Sequence, residues 1–412
     1  MLLSLSSLNV IQYLQNADLF SSEDRVLDQY ELKESSQDNQ NLLVTFTNNR
    51  QLLIKQKYKI DIENNHHELF NEWLFHQLLQ QFPILGNISE LSSLILCYDQ
   101  ENSILVRSYL SEYIELGKFY QNSSIFPIEI ANSIGTALAE LHRTTFLGKE
   151  YRDFMNIAPP GEFRYHFYNP SQGIDSINPD VLGRIPTEAI KFHIFYQHDQ
   201  SLASAIADLS YEWTPCCLIH NDLQLSNILL HSRWEQLDNC LIRLIDWEAC
   251  SWGDPAFDLG SLLASYLRIW LSSLVVDNTL NLEESLNLAM IPLDIIQPSM
   301  LALLRAYLDT FPLILEYRHD LILRVVQFTG LSLIHQIKEM IEYKKYFDQH
   351  HIYMLEFGKN ILTMPQKAVL TIFGISESEI IQPVADLENI FQPEEEEKIL
   401  PIYYEKTRLR GC

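Results

Sequence analysis

Apolar and polar positions change rhythm about a quarter of the way along the 412-residue chain. Before that point, short apolar runs alternate with polar turns. Residues 30–34, 42–47 and 51–57 are separated by Gln37-Asp38-Asn39 and Asn48-Asn49, a pattern that predicts an antiparallel meander. A helix is expected over 66–82, where Leu69, Phe70, Trp73, Leu74, Leu78 and Phe82 recur at helical spacing and Phe75 and Leu79 cover another side. Pro83 ends it. Strands at 93–98 and 103–109, joined by the polar turn 99–102, complete this part, and the first twenty residues read as an amphipathic helix. Helical spacing then takes over. Pro127 opens a helix carrying Ile130, Ile134, Ala137, Leu138 and Leu141 on one stripe. Long apolar helical patterns run from Ser261 onward, including 321–341. Between them, residues 158–186 concentrate Pro159, Pro160, Pro170, Pro179 and Pro186 with Gly161, Gly173 and Gly183, which marks a loop-rich insertion within about 148–200. The expected fold class is α+β with two lobes: a small antiparallel-sheet lobe with one helix at 1–107, and a large, mainly helical lobe at 108–412. A cleft is expected where they meet.

Composition narrows the partners. At 47% apolar and 20% charged, the chain has the make-up of a globular protein. Fifty-four acidic against 29 basic residues leave a net charge of −25. Nucleic acid and anionic membrane surfaces are disfavoured, because both are held chiefly by Lys and Arg. A cationic acceptor suits the charge better, and the oligomeric state is not encoded in any of these patterns. Cys97, Cys216, Cys217, Cys240, Cys250 and Cys412 include no Cys-x-x-Cys pair, so reduced thiols in an intracellular protein are expected rather than a zinc site. The N-terminus lacks the basic start and cleavage site of a signal peptide. The apolar stretch 261–276 is interrupted by Arg268 and falls short of the ~18 uncharged residues of a membrane span. A soluble, cytoplasmic protein is expected. The acidic run 394–397 reads as a solvated tail.

The candidate chemistry lies at 217–230, CLIHNDLQLSNILL, and in the second unit Leu241 to Glu248, LIRLIDWE. Apolar runs on both sides pin a polar loop bearing His220, Asp222 and Asn227; Asp246 follows a second apolar run. The spacing resembles the H-x-D-x-x-x-x-N loop, followed by a metal-binding aspartate, of protein kinases. Magnesium takes oxygen donors and only one or two protein carboxylates, and phosphoryl transfer needs positioning and charge neutralisation more than covalent chemistry.

The two motifs together, IHNDLQLSNILL and LIRLIDWEACSWGDPAFDLGSL, resemble the aminoglycoside phosphotransferase and choline kinase family, a branch of the protein-kinase-like fold. The resemblance covers roughly residues 25–345 outside the insertion, and extends to Ala137-Leu138-Ala139-Glu140-Leu141-His142. It departs from the family at Asn221, where a glycine is usual. It implies ATP and magnesium as cofactors, with Asp222 as catalytic base, Asn227 as a metal ligand and Asp246 as the principal metal ligand. His220 and Asp258 would brace the loop. It further implies that Lys55 holds the α- and β-phosphates with Glu72 as its helix partner. Lys57 lies on the same strand face and Glu68 one turn earlier, so these remain alternatives. Ser108, Tyr109 and Leu110, within 105–112, correspond to the hinge that receives adenine. The turn expected over the phosphates, 34–41, has no glycine, leaving Ser36 and Asn39 as its contributors beside an awkward Asp38.

Three functions follow. A small-molecule kinase would phosphorylate a hydroxyl of a metabolite. A peptide-directed enzyme would phosphorylate Ser or Thr of a ribosomally made peptide ahead of dehydration, as in lanthipeptide-type tailoring, a reading that rests on analogy. A nucleotide-binding scaffold of weak or no activity is the third, motivated by the glycine-free turn. Phe163, Tyr165, Phe167 and Tyr168 in the insertion are candidates to cage a cationic acceptor.

Overall fold

The computed structural model describes residues 3–20, 24–32, 39–57, 68–157, 169, 190, 199–237, 241–277, 279–344 and 347–385. A short helix, α1 (Val10–Asn16), precedes three strands, β1 (Val26–Leu32), β2 (Asn39–Phe46) and β3 (Gln51–Lys57). Then come α2 (Glu68–Gln81), α3 (Gly86–Leu91), β4 (Ile95–Asp99) and β5 (Ile104–Ser108). The five strands form one antiparallel sheet in the order β1-β2-β3-β5-β4. The expected meander is present, with strand ends shifted by a few residues. The expected helix over the first twenty residues is shorter: only Val10–Asn16 is α-helical, while Leu5 is tied to Gln56 Oε1 through its backbone N–H at 2.8 Å.

Alternation along β3 and β5 sends two chemistries to opposite faces. Leu52, Ile54, Ile104 and Val106 join Leu42, Val44 and Phe46 in a buried apolar cluster that Leu5, Val10 and Leu14 cover. The intervening residues Lys55, Leu105 and Arg107 face α2 instead, where Leu105 packs with Leu69 and Ile95 and the two cations meet Glu72. One face of the sheet is a core and the other carries charge.

The helical part begins with β6 (Tyr113–Glu115), α4 (Leu116–Ser123), α5 (Ile128–Thr145) and α6 (Lys149–Met155). Pro127 is the N-cap of α5, as the sequence pattern requires. It continues with α7 (Gln200–Tyr211), β7 (Cys217–Ile219), β8 (Ile228–His231), β9 (Ile242–Leu244) and β10 (Ser251–Gly253). The remainder is helical: α8 (Pro255–Leu271), α9 (Leu282–Asn287), α10 (Leu293–Thr310), α11 (Leu313–Tyr317), α12 (Leu321–Lys344), α13 (Gln349–Thr363), α14 (Pro365–Phe373) and α15 (Glu377–Ala385). A continuous core built on α5, α8, α10 and α12 supports this lobe. Helices α8 and α12 approach closely because residue 260 is glycine: a Cβ there would sit 2.8 Å from the Thr329 backbone nitrogen. The resulting fold is two-lobed α+β. Residues 158–168, 170–189 and 191–198 of the expected insertion, including Phe163, Tyr165, Phe167 and Tyr168, and the acidic run 394–397 lie outside the described residues. Among the described residues, Cys97, Cys216 and Cys217 are free thiols, and no helix is long and apolar enough to cross a membrane.

Candidate active site

Two small antiparallel pairings hold the polar loops side by side. Strand β7 pairs with β10, and β8 pairs with both β9 and β6. The His220–Asn227 loop leaves β7 and enters β8, while Asp246 follows β9. A backbone bond from Ile245 N–H to the Asn227 carbonyl at 3.0 Å ties one loop to the other. His220 Nε2 meets the Ile245 carbonyl at 2.9 Å, with its ring against Trp247. Spacing in sequence thus becomes spacing in the cleft.

The loop is clamped from below by Asp258 on α8. Its Oδ2 accepts the His220 backbone N–H at 2.7 Å and its Oδ1 accepts that of Asn221 at 2.9 Å. His142 Nε2 reaches Oδ2 at 3.2 Å, and His142 Nδ1 meets the Tyr307 hydroxyl at 3.0 Å. All of these side chains are buried. The consistent proton arrangement has Tyr307 O–H donating to Nδ1 and Nε2–H donating to Asp258, since burial drives the Tyr307 pKa up and keeps its proton on. Asp258 therefore braces the loop, as the sequence implied. Asn221 stands at φ +67°. This left-handed conformation explains the usual glycine and why asparagine substitutes, since its short amide is among the few side chains that tolerate it. Its Nδ2 donates to the Ala249 carbonyl at 3.1 Å, fixing the turn to the Asp246 loop.

Asp222 projects from this clamp. Asn227 Nδ2 donates both to the Asp222 carbonyl at 2.8 Å and to its Oδ2 at 3.1 Å; Gln224 Nε2 donates to Oδ1 at 3.0 Å. Asp222 is exposed at the surface of the loop; protein atoms crowded around its carboxylate raise its pKa, the charge of Asp246 adds to the rise, and the Gln224 and Asn227 donors oppose it. Asp246 also has a left-handed backbone, φ +63° and ψ +56°.

Opposite the loop lies an ionic cluster that joins the lobes. Lys55 Nζ is 2.6 Å from Asp246 Oδ1, 2.7 Å from Glu248 Oε1 and 3.3 Å from Glu72 Oε2. Arg107 completes it, with Nη1 3.0 Å from Glu72 Oε1 and Nη2 3.2 Å from Asp246 Oδ1. Burial works against the Lys55 charge, yet Asp246, Glu248 and Glu72 outweigh it and hold the ammonium well above its ordinary pKa. Burial likewise opposes the Asp246 charge, but Lys55 and Arg107 keep this carboxyl well below the usual range. Glu248 goes the other way: burial, with Glu72 and Asp246 adding to it, pushes it up to about 7 despite Lys55. Oxygens of Glu72, Asp246 and Glu248 lie within 4.8 Å of one another, a grouping able to hold a metal ion.

The alternatives at Lys55 and Glu72 resolve into two pairs. Lys55 joins Glu72 in the buried cluster, while Lys57 joins Glu68 at 2.5 Å nearer the surface. Both lysines share a face, and depth in the cleft separates them. Ser108, Tyr109 and Leu110 line a cavity of about 950 Å³ together with Arg107, Asn227 and Asp246. The Ser108 and Tyr109 amides donate to the Leu94 and Gln51 carbonyls at 2.9 and 3.0 Å, so they serve the sheet. Ser36 lies outside the described residues, and Asn39 is the first residue of β2. Sequence reasoning missed Arg107 and gave Glu248 no role. A signal existed for Arg107: Lys55 pairs with Leu105, which puts residue 107 on the Lys55 face.

The family model for the phosphotransferase enzyme family (APH) matches residues 34–286. No curated protein sequence matches the chain. Among solved structures, amicoumacin kinase hAmiN is similar over 86% of this chain and 92% of its own, at 12% identity and TM-score 0.50. Choline kinase LicA from Streptococcus pneumoniae matches over 87% and 99%, at 16% identity and TM-score 0.47. The ADP-bound aminoglycoside phosphotransferase APH(2'')-Ib matches over 89% and 99%, at 14% identity and TM-score 0.41. With more than half its length under the family model, the chain belongs to the phosphotransferase enzyme family.

Proposed function

We propose that the protein transfers the γ-phosphoryl group of ATP to a hydroxyl group of an acceptor, with Asp222 as the base and magnesium held by Asn227 and Asp246. The observation that supports this reading is a chain of contacts: Asn227 and Asp246 line one cavity, Asn227 bonds to Asp222, and Lys55 bonds to both Asp246 and Glu72.

The residues fit the metal. Hard oxygen donors from an amide and a carboxylate suit magnesium, and the Asp246 carboxyl is held ionised by its cations. Asn227 and Asp246 would hold it, with Glu248 within reach as a third oxygen donor. When bound, magnesium neutralises charge that develops on the phosphate oxygens. Lys55 is anchored between the lobes to meet the α- and β-phosphates, and Glu72 fixes its direction. The hinge receives adenine through its carbonyl groups and the Leu110 amide, because the neighbouring amides are spent on the sheet. Asp222 accepts the acceptor's hydroxyl proton as the hydroxyl oxygen bonds to phosphorus. The bond from phosphorus to the β-bridging oxygen breaks, and ADP leaves with that electron pair. Asn227 and Gln224 hold the Asp222 carboxylate in line. The intact constellation speaks against the weak-scaffold reading.

The test is isothermal titration with ATP in the presence and absence of magnesium, followed by transfer assays with labelled ATP and a panel of hydroxyl compounds. Magnesium-dependent binding, and transfer abolished in Asp222→Asn, are the expected results. Transfer by Asp222→Asn at the parent rate would sink the assignment.

A further inference from the structure

Lys55 is fully committed where it stands. An ammonium has three hydrogens to donate, and Lys55 Nζ donates to Asp246 Oδ1 at 2.6 Å, Glu248 Oε1 at 2.7 Å and Glu72 Oε2 at 3.3 Å. A bond from this ammonium to a phosphate oxygen therefore has to replace one of the three. The carboxylate that is given up loses a cation, which is costly for a group shielded from water unless another cation stands beside it. Arg107 stands beside two of the three. Its Nη1 is 3.0 Å from Glu72 Oε1, and its Nη2 is 3.2 Å from Asp246 Oδ1.

Exposure separates those two carboxylates. The Glu72 side chain is 2% exposed and that of Asp246 30% exposed, and Asp246 lines the large cavity with Arg107 and Asn227. Asp246 is thus the one that a divalent ion entering from the cavity can reach. Arg107 is built to stay in place. It lies in β5 between two paired strands, opposite Leu53 of β3 and Ile95 of β4. Its two terminal nitrogens form a planar fork that takes one carboxylate from each lobe. A lysine at this position would be shorter, and it would bring a second ammonium toward the point that Lys55 already occupies.

We propose that Arg107 is a positioning residue for the metal ligand: it holds Asp246 against Glu72 while Lys55 exchanges its bond to Asp246 for a bond to a phosphate oxygen. This rests on the phosphotransferase reading above. Lys55 keeps Glu72 and Glu248, so α2 stays fixed to the large lobe. Asn71 Nδ2, donating to the Glu248 carbonyl at 2.9 Å, and Phe75, stacked on Trp247 with ring centroids 4.0 Å apart, hold it there as well. Asp246 keeps one cation throughout the exchange and is neither released into the cavity nor left bare. Lys55 then serves the nucleotide and Arg107 serves the metal. Damage to Arg107 weakens the gain in nucleotide affinity that magnesium brings, rather than nucleotide binding as such.

The experiment titrates ADP calorimetrically into the full-length parent and Arg107→Lys, with saturating magnesium and with chelator, and follows the melting of both proteins. Arg107→Lys keeps a cation in the sheet and loses the fork. With chelator, its ADP affinity is expected to stay close to that of the parent. The factor by which magnesium raises ADP affinity is expected to fall by about tenfold or more, the usual effect of removing a group that orients a metal ligand. A purely structural part would move both affinities together or neither, so the ratio is the decisive readout. Arg107→Gln, neutral and shorter, is the second variant and is expected to lower the ratio likewise. An unchanged ratio in a folded variant, or an equal loss with and without magnesium, overturns the inference. Failure of both variants to melt cooperatively also overturns it, since Arg107 would then be a strut of the fold. A parent whose ADP affinity ignores magnesium would instead strike the function itself.

Discussion

Arg107 and Asp246 line the large cavity and belong with Lys55, Glu72 and Glu248 to one connected network of ion pairs. On the other side of Asp222, Ser261 and Ser332 share a hydroxyl–hydroxyl bond, and Asn221 and Gln336 line the same small opening. The charged side follows the chemistry it is proposed to handle. Phosphates and a divalent ion bring dense charge, and a crossed lattice of ion pairs holds the receiving groups in place before they arrive. Asp222 sits at the border, raised by the protein atoms around it and by Asp246 but steadied by two neutral amides.

The largest effect is expected at that border. Asp222→Asn should lower kcat by about 10²–10⁴, the usual contribution of a positioned base. ATP affinity should be unchanged, read by titration calorimetry. A matching loss of ATP affinity would mean that Asp222 belongs to the charged side alone.

Arg107→Met tests whether the charged side is one lattice. Removing one member of a buried ion network leaves Glu72 and Asp246 undercompensated and should cost about 3 kcal/mol of stability by urea denaturation. Weakened ATP binding should accompany it. A change under 0.5 kcal/mol would show that Lys55 alone holds the cluster.

Glu248 gives the charged side a pH signature. Its folded pKa of about 7 lies above its ordinary value of 4.5, so folding favours the protonated form. That contribution is complete below the ordinary value and is lost as pH rises through about 7. Glu248→Gln, which stays neutral, should therefore melt higher than the parent at pH 8, with the advantage gone below pH 4.5. A parent more stable than the variant at pH 8 would reverse the assignment.

On the neutral side the expected changes are smaller. Ser332→Ala removes the hydroxyl partner of Ser261 and should cost about 1 kcal/mol. Because no charge is disturbed, ATP affinity should stay within error. A large loss of nucleotide binding would join the two sides electrostatically and break the contrast.

The polar loop between β7 and β8 was readable because its logic is local. His220, Asp222 and Asn227 lie within eight residues, and apolar flanks announce the strands that pin them. Asp246 was readable for the same reason, whereas the Asp258 brace, 37 and 38 residues from the amides it accepts, was legible only through the family resemblance. The five-stranded sheet and α2 followed from the change in periodicity. Choosing between Lys55 and Lys57 was beyond alternation alone, since residues two apart on a strand share a face and only depth in the cleft distinguishes them. Arg107 was hidden because a lone arginine at the end of an apolar run looks like a strand terminus; its register against Lys55 makes it part of the cluster. The neighbourhood of Asn221 and Gln336 was hidden more deeply. They line one opening only because α12 packs on α8 across Gly260, a contact between distant segments that no local pattern records.

The account stands most directly on Asp246 and the ion it is proposed to hold. Calorimetric titration of the parent and Asp246→Asn with ATP, each with magnesium and with chelator, separates the possibilities. Binding by the parent that weakens at least about tenfold on chelation, together with an indifferent variant, is the predicted result. Equal affinity in all four titrations would contradict it.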